Sequence, residues 1–269
     1  MIEALFLGLV QGLTEFIPVS SSAHLRIVGE FLPNAKDPGA AFTAITQIGT
    51  ELAVLIYFRK NIFTILKAWF KRDGSAEARL GTLIIIGTLP IVILGYLGQS
   101  YITDNFRSLW IVATTLIVFG LLLGFADKVG RSEKALSNLN ARDGIAYGFA
   151  QSLALVPGVS RSGATIALGR LLGYSREAAL RYSFLLALPA VFGSGLYELK
   201  SALSDSTVTV YSMTETLGAT VVAFIVGYSV IAWLMKYIAA KTFTPFVIYR
   251  VVLGSALLVA LATGALNAQ

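Results

Sequence analysis

The chain has 269 residues, 56% of them hydrophobic and only 13% charged, with a net charge of +6. Soluble domains carry about a quarter charged residues, so this balance, with a mean hydropathy of +0.74, argues against a soluble helical domain and for a membrane protein. There is no cysteine, which removes disulfides, thiol chemistry and cysteine-ligated metal.

Taken in order, the first twelve residues, MIEALFLGLVQG, lack the basic start and small-residue cleavage site of a signal peptide and are expected to stay in the fold. A polar stretch follows at 11–24, holding Gln11, Glu15, Ser20, Ser21, Ser22 and the single histidine, His24. Apolar runs at 39–58, 81–99, 108–126, 182–198, 216–235 and 244–264 each approach the ~20 residues that cross a bilayer. Backbone polar groups inside lipid must pair within their own segment, so these runs predict helices. Between 143 and 173 lies a second polar stretch, whose core reads PGVSRSGAT from Pro157 to Thr165.

Lysine and arginine mark cytoplasmic loops. The loop 59–80 holds Arg59, Lys60, Lys67, Lys71, Arg72 and Arg79; 127–142 holds Lys128, Arg131, Lys134 and Arg142; 236–243 holds Lys236 and Lys241. The loop 100–107 has only Arg107, and 199–215 has Lys200 beside Asp205 and Glu215. Basic residues gathered in alternate loops explain the positive charge by membrane orientation, without a nucleic-acid partner. The alternation puts 59–80, 127–142 and 236–243 inside and the C-terminus outside. It also makes 143–173 begin and end inside, and 2–29 begin and end outside. Neither is one simple span. Each is expected to be a re-entrant hairpin broken at Pro18 or Pro157, because proline removes a backbone donor, and such backbone survives at membrane depth only inside protein or beside a wet cavity.

The two hairpins align. Gly8 matches Gly148, Gln11 matches Gln151, Leu13 matches Leu153, Val19-Ser20 matches Val159-Ser160, and Ser22 matches Ser162, each pair 140 positions apart. Three spans follow each hairpin. The predicted fold is an all-α polytopic integral membrane protein: a single transmembrane domain over 1–269, with inverted-topology repeat halves at about 1–126 and 143–266. Such repeats place a site near the midplane, where broken helices meet.

Gln11 and Glu15 share a helix face, and a carboxylate at membrane depth needs a cation, a proton or an ionic partner such as Arg161. Serines after Pro18 suit helix capping. With His24 and Glu15 they also make a nucleophile and acid–base set. Arg161 offers a rigid fork of donors for phosphate oxygens, and the following helix start adds free N–H groups. Together these describe an anion site for phosphate or diphosphate. Gln47 and Glu51 are expected to line the same cavity or to brace Arg250. Arg170 and Arg181 are expected to reach the cytoplasmic surface, and Gly193-Ser194-Gly195 to serve helix contact.

These motifs resemble those of the bacterial undecaprenyl pyrophosphate phosphatase family, also called bacitracin resistance proteins. The first family motif is met by Gln11, Glu15, Pro18, Ser20, Ser21 and His24, and the second by Pro157, Gly158, Ser160, Arg161, Ser162 and Thr165. Many members carry glutamate where this chain has Gln11, which leaves one carboxylate fewer for a metal. The resemblance implies an enzyme of the bacterial cytoplasmic membrane, its site opening outward. It implies hydrolysis of undecaprenyl diphosphate to undecaprenyl phosphate and phosphate, recycling the peptidoglycan lipid carrier and conferring bacitracin resistance. It further implies a divalent cation, Mg2+ or Ca2+, held by Glu15 and Gln11. Arg161 with Ser20, Ser22, Ser160, Ser162 and Thr165 would bind the phosphate. Ser21 is the preferred nucleophile with His24 or Glu15 as its base, and attack by His24 or by water stays open. Membrane lipid is the implied surrounding and a homodimer the assembly considered. A phosphatidic-acid phosphatase mechanism needs two histidines, and the chain has one. The competing reading is a transporter or flippase of prenyl phosphate lipids, since inverted repeats with broken helices serve transport equally well.

Overall fold

The computed structural model describes residues 1–33, 38–106, 108–204 and 210–266; two charges counted in the outer loops, Arg107 and Asp205, lie outside the described residues. Among the described residues every element is helical, apart from an isolated bridge between Lys134 and Tyr174. The helices are α1 (Ile2–Thr14), α2 (Ser21–Gly29), α3 (Gly39–Tyr57), α4 (Arg59–Lys71), α5 (Ala76–Asn105), α6 (Leu109–Val129), α7 (Ala141–Ser152), α8 (Arg161–Leu171), α9 (Arg176–Ser204), α10 (Met213–Ile238) and α11 (Thr244–Ala262).

Five helices, α5, α6, α9, α10 and α11, are long and apolar enough to cross a membrane. A sixth candidate is α3, joined to α4 at a bend of 79°. Large apolar side chains such as Leu121, Phe125, Val221, Ile225, Ile248 and Val252 are exposed on these helices, as a lipid-facing surface requires. The chain is thus a multi-pass membrane protein. The segments around Pro18 and Pro157 are broken as expected: α1 and α2 have 13 and 9 residues, and α7 and α8 have 12 and 11. At 1.5 Å per residue none of these reaches the ~30 Å of a hydrocarbon core.

The stretch 59–80 was expected to be a loop, yet most of it forms α4. Its sequence RKNIFTILKAWFK turns Ile65 and Ala68 inward while Phe63, Leu66 and Phe70 remain exposed among four basic residues. That is the pattern of a helix lying along an interface rather than crossing it.

Glycines let the broken segments approach the long helices. A Cβ on Gly8 would fall 2.8 Å from Ala219 Cα on α10, and one on Gly148 would fall 3.0 Å from Gly87 Cα on α5. Small residues are the means by which membrane helices pack closely.

The basic loops collect at one end of the bundle. Arg79 donates to the Ser137 carbonyl at 3.3 Å. Asp127 accepts from Arg170 Nε at 3.2 Å, Arg176 Nε at 2.6 Å and the Phe243 amide at 3.1 Å. Arg170 was expected to reach the surface but is buried. It also donates to the carbonyls of Gly130 and Tyr174, at 2.6 and 2.5 Å. Its fork therefore ties α6, α8 and the start of α9 together, and a buried charge with this many partners has no reason to extend into water. Arg181 lies against the Phe58 ring, 6.0 Å from its centroid. Nearby, burial and a hydrogen bond to Asp143 hold the Tyr174 hydroxyl well above the usual phenol range, so it stays a donor to that carboxylate at 2.7 Å. At the opposite end, the Met1 amino group pairs with Glu215.

Candidate active site

The two breaks share one local geometry. Ser20 and Ser160 both sit at positive φ, 75° and 70°, a region that costs a non-glycine residue energy. Each caps the helix that follows. Ser20 Oγ accepts from the Ala23 amide at 3.4 Å, and Ser160 Oγ accepts from the Gly163 amide at 3.1 Å. Each lies 3.2 Å from the hydroxyl two residues on, Ser22 or Ser162. The capping role expected of the serines after Pro18 thus falls to Ser20, and Ser160 takes the same role in the second break. The starts of α2 and α8, with their unpaired N–H groups, are brought to one cavity.

Arg250 on α11 holds the breaks in place. It is fully buried and donates to the carbonyls of Pro18 at 3.1 Å, Gly158 at 2.8 Å and Val159 at 3.1 Å, and to Leu116 on α6 at 3.1 Å. One cation therefore satisfies turn carbonyls from both polar stretches. Gly158 at φ +90° is required here, because a Cβ would lie 2.8 Å from the Val112 carbonyl and run into the Thr115 hydroxyl.

Between the breaks sits Glu15, the centre of a five-member network. Its Oε2 accepts from Ser21 Oγ at 2.5 Å and from Gln11 Nε2 at 2.7 Å. Its Oε1 accepts from Arg161 Nη2 at 2.8 Å. The same Nη2 donates to Glu51 Oε1 on α3 at 2.6 Å. Glu15, Ser21 and Arg161 thus meet, although Arg161 comes from the far half of the chain. A cavity of about 560 Å³ opens above them. Glu15, Ser20, Ser21, Ser22, Ser160 and Arg161 form its polar floor together with Gln47. Its walls are α5 from Ile91 to Tyr96 and α9 from Ala190 to Glu198, starting in each helix one residue after an internal proline, Pro90 or Pro189. A polar floor under largely apolar walls suits a ligand with a charged head and an oily tail.

Other expected site residues lie behind this floor. His24 Nδ1 is 2.7 Å from the Ser20 carbonyl and Nε2 is 2.7 Å from the Tyr249 hydroxyl, with the two rings stacked. Both ring nitrogens are thereby engaged away from Ser21. Thr165 is fully buried; its hydroxyl is 2.6 Å from Ser183 on α9 and also donates to the Arg161 carbonyl. Ser162 is buried beside Ser160. Gln11 is buried, with its Oε1 unpartnered.

A family model described as bacitracin resistance protein BacA matches residues 4–256. The chain belongs to that family. In the BacA match both polar breaks and Arg250 are included. Similar full-length proteins include the undecaprenyl-diphosphatase of Micrococcus luteus, 59% identical over 99% of both chains. That of Paenarthrobacter aurescens is 57% identical, again over 99% of both. Undecaprenyl-diphosphatase 2 of Agrobacterium fabrum is 56% identical over 99% of this chain and 97% of its own length.

Against this BacA background, sequence reasoning missed Tyr249 and gave Glu51, Arg250, Gly193 and Ser194 other places. Glu51 was expected beside the cavity or against Arg250; it bonds Arg161 instead. Arg250 binds main-chain carbonyls. Tyr249 engages His24. Gly193 and Ser194, expected in helix contacts rather than function, line the cavity, while Gly195 does pack against Ile48 and Ala44. The available signal was the rarity of charge within an apolar run, which marks Glu51 and Arg250 alike.

Proposed function

We infer that this chain is an undecaprenyl-diphosphatase. It hydrolyses undecaprenyl diphosphate to undecaprenyl phosphate and phosphate, which returns the lipid carrier to peptidoglycan synthesis and underlies bacitracin resistance. The observation that carries this reading is Glu15 held between the Ser21 hydroxyl and the Arg161 guanidinium beneath an amphipathic cavity.

In the reaction, the diphosphate enters between the two breaks and its prenyl tail lies along the apolar walls of α5 and α9. Ser21 Oγ attacks the terminal phosphorus while Glu15 takes its proton. The bond to the bridging oxygen breaks, and undecaprenyl phosphate leaves. Water then attacks the phosphoserine, Glu15 returns its proton to Ser21 Oγ, and phosphate departs with the protons of the water. Arg161 and the starts of α2 and α8 hold the phosphate oxygens and the charge that builds on them. Ser20, Ser22 and Ser160 complete the cradle, with Ser162 and Thr165 supporting it from behind. His24 orients the turn through its contact with the Ser20 carbonyl.

The donor set fits a divalent cation of the Mg2+ or Ca2+ class. Both carboxylates on Arg161 leave excess negative charge, and the Oε1 of Gln11 is a buried oxygen without a partner. Among the described residues no group of three or more His, Asp or Glu side chains surrounds one point. That suits an ion held by one or two protein oxygens and completed by water and substrate phosphate. Glu15 and Gln11 would hold it, and it would supply neutralisation of the diphosphate charge.

The repeat reading has support in packing: α1 lies on α10 of the other half, and α7 lies on α5. Ser20 and Ser160, equivalent in that repeat, share one unusual backbone geometry. In this orientation the halves enter the cytoplasmic membrane from opposite sides. The cavity walls occupy the later turns of α5 and α9, away from the basic end, which favours a site opening to the outer face.

The test is phosphate release from undecaprenyl diphosphate by purified protein in detergent, with and without Mg2+ or Ca2+. Cation-dependent release that drops steeply in Glu15→Ala and Arg161→Ala supports the assignment. Binding of the lipid without release under any cation condition would move the function to lipid phosphate transport.

A further inference from the structure

We propose that Glu51 is a positioning residue of this site, holding Arg161 by Nη2 so that the rest of its fork stays turned into the cavity. Glu51 belongs to neither polar break. It comes from α3, where it is the only charge in the run 39–58. Its side chain is fully buried, and its Oε1 lies 2.6 Å from Arg161 Nη2. Glu15 Oε1 takes the same nitrogen at 2.8 Å. Nη2 has two hydrogens, so two acids, one from the end of α1 and one from α3, use both. Nε and Nη1 carry the remaining three donors of the fork, and Arg161 borders the cavity.

A guanidinium is planar. Fixing one nitrogen from two directions fixes the plane, which a single carboxylate does not do. Without Glu51, Arg161 can rotate about its one bond to Glu15. The register of Glu51 is itself set by close packing, since a Cβ on Gly49 of α3 would run into the Thr220 carbonyl on α10. One turn earlier on the same face, Gln47 reaches the cavity floor. Glu51 is behind that floor and touches Arg161, so its effect on the reaction passes through the arginine. Two acids on one guanidinium also moderate its pull on an anion at rest. The loss of Glu51 therefore falls on turnover more than on substrate affinity.

The kinetic arm of the test rests on the phosphatase reading, and the labelling arm on geometry alone. Glu51→Ala is expected to lower kcat by about 10²-fold, the size of effect that misplacement by about an ångström produces, with KM within threefold. Glu51→Gln keeps an acceptor for Nη2 and is expected to recover about tenfold of that loss. In an Arg161→Ala background, adding Glu51→Ala should change kcat by less than threefold. The independent readout is modification of Arg161 by phenylglyoxal in detergent, followed by mass spectrometry of its peptide, with Glu51→Gln serving should the alanine variant fail to fold. Faster labelling of Arg161 in the Glu51 variants, by about fivefold or more, supports the proposal. Unchanged labelling would overturn it, as would a full kinetic loss that persists without Arg161. Absence of phosphate release from the unaltered protein, with faster labelling in the variants, would remove the phosphatase reading and leave the positioning role standing.

Discussion

Glu15→Gln removes the proton acceptor while keeping the side chain's size and an oxygen for Arg161. The amide has the same size and can still accept from Arg161 Nη2, which lies 2.8 Å from Oε1. The conflict is with Gln11, whose Nε2 donates to Oε2 at 2.7 Å. Gln11 resolves it by flipping its own amide, because its Oε1 has no hydrogen-bond partner within the protein to lose. The Ser21 hydroxyl, 2.5 Å away, then accepts from the new amide and has no base to receive its proton. General-base catalysis contributes about 10²- to 10⁴-fold, so the barrier should rise by about 3–5 kcal/mol. The resting fold should lose far less, about 1 kcal/mol, for one weakened charge-assisted hydrogen bond. The assay is single-turnover phosphate release at saturating cation, beside a thermal unfolding midpoint in the same detergent. Turnover is expected to slow by about a hundredfold or more, with only a small change in midpoint. Turnover within tenfold of the unaltered protein, at an unchanged midpoint, would show that Glu15 is not the base.

Three other outcomes follow from the same geometry. His24→Phe keeps the ring stack on Tyr249 and removes the hydrogen bond to the Ser20 carbonyl; kcat should fall by less than tenfold, and complete inactivation of a folded variant would make His24 the base. Gly158→Ala forces a side chain into φ +90° and against the Val112 carbonyl; unfolding should become easier by about 2–3 kcal/mol, measured in detergent, and an unchanged midpoint would refute the steric account. Arg250→Met fills the same space and strands the carbonyls of Pro18, Gly158 and Val159; at ~1 kcal/mol or more for each, stability should drop by at least about 3 kcal/mol and turnover should be lost with it, while a stable, active variant would show that the turns hold themselves.

The apolar runs made the spans legible, and α3, α5, α6, α9, α10 and α11 all fall on them. Both breaks were legible too, through their prolines and the repeated spacing. The helix at 59–71 was not, because loop charge reports sidedness and says nothing about local backbone. Arg170 misled for a similar reason: a basic residue near a span end snorkels only where no buried acid awaits it, and Asp127 lies far away in sequence. Within the site, residue identity told more than residue direction. Glu15, Ser21 and Arg161 could be chosen from chemistry, yet nothing in the motif said that Thr165 would point to Ser183 or that His24 would be taken by Tyr249. Gln11 leaves the first motif one acid short. A second carboxylate stands at 51, but only the packing of α3 brings it to Arg161.

Arg250 also sets an order of events during synthesis. The Gly158 carbonyl that it satisfies lies 92 positions upstream, and the Pro18 carbonyl lies 232 upstream. Both turns therefore leave the ribosome long before their common donor. Until α11 inserts, the phosphate cradle has no clasp, and its carbonyls must find water or lipid headgroups. A nascent chain can thus thread most of its helices into the bilayer without acquiring activity, which arrives in one step when the arginine docks.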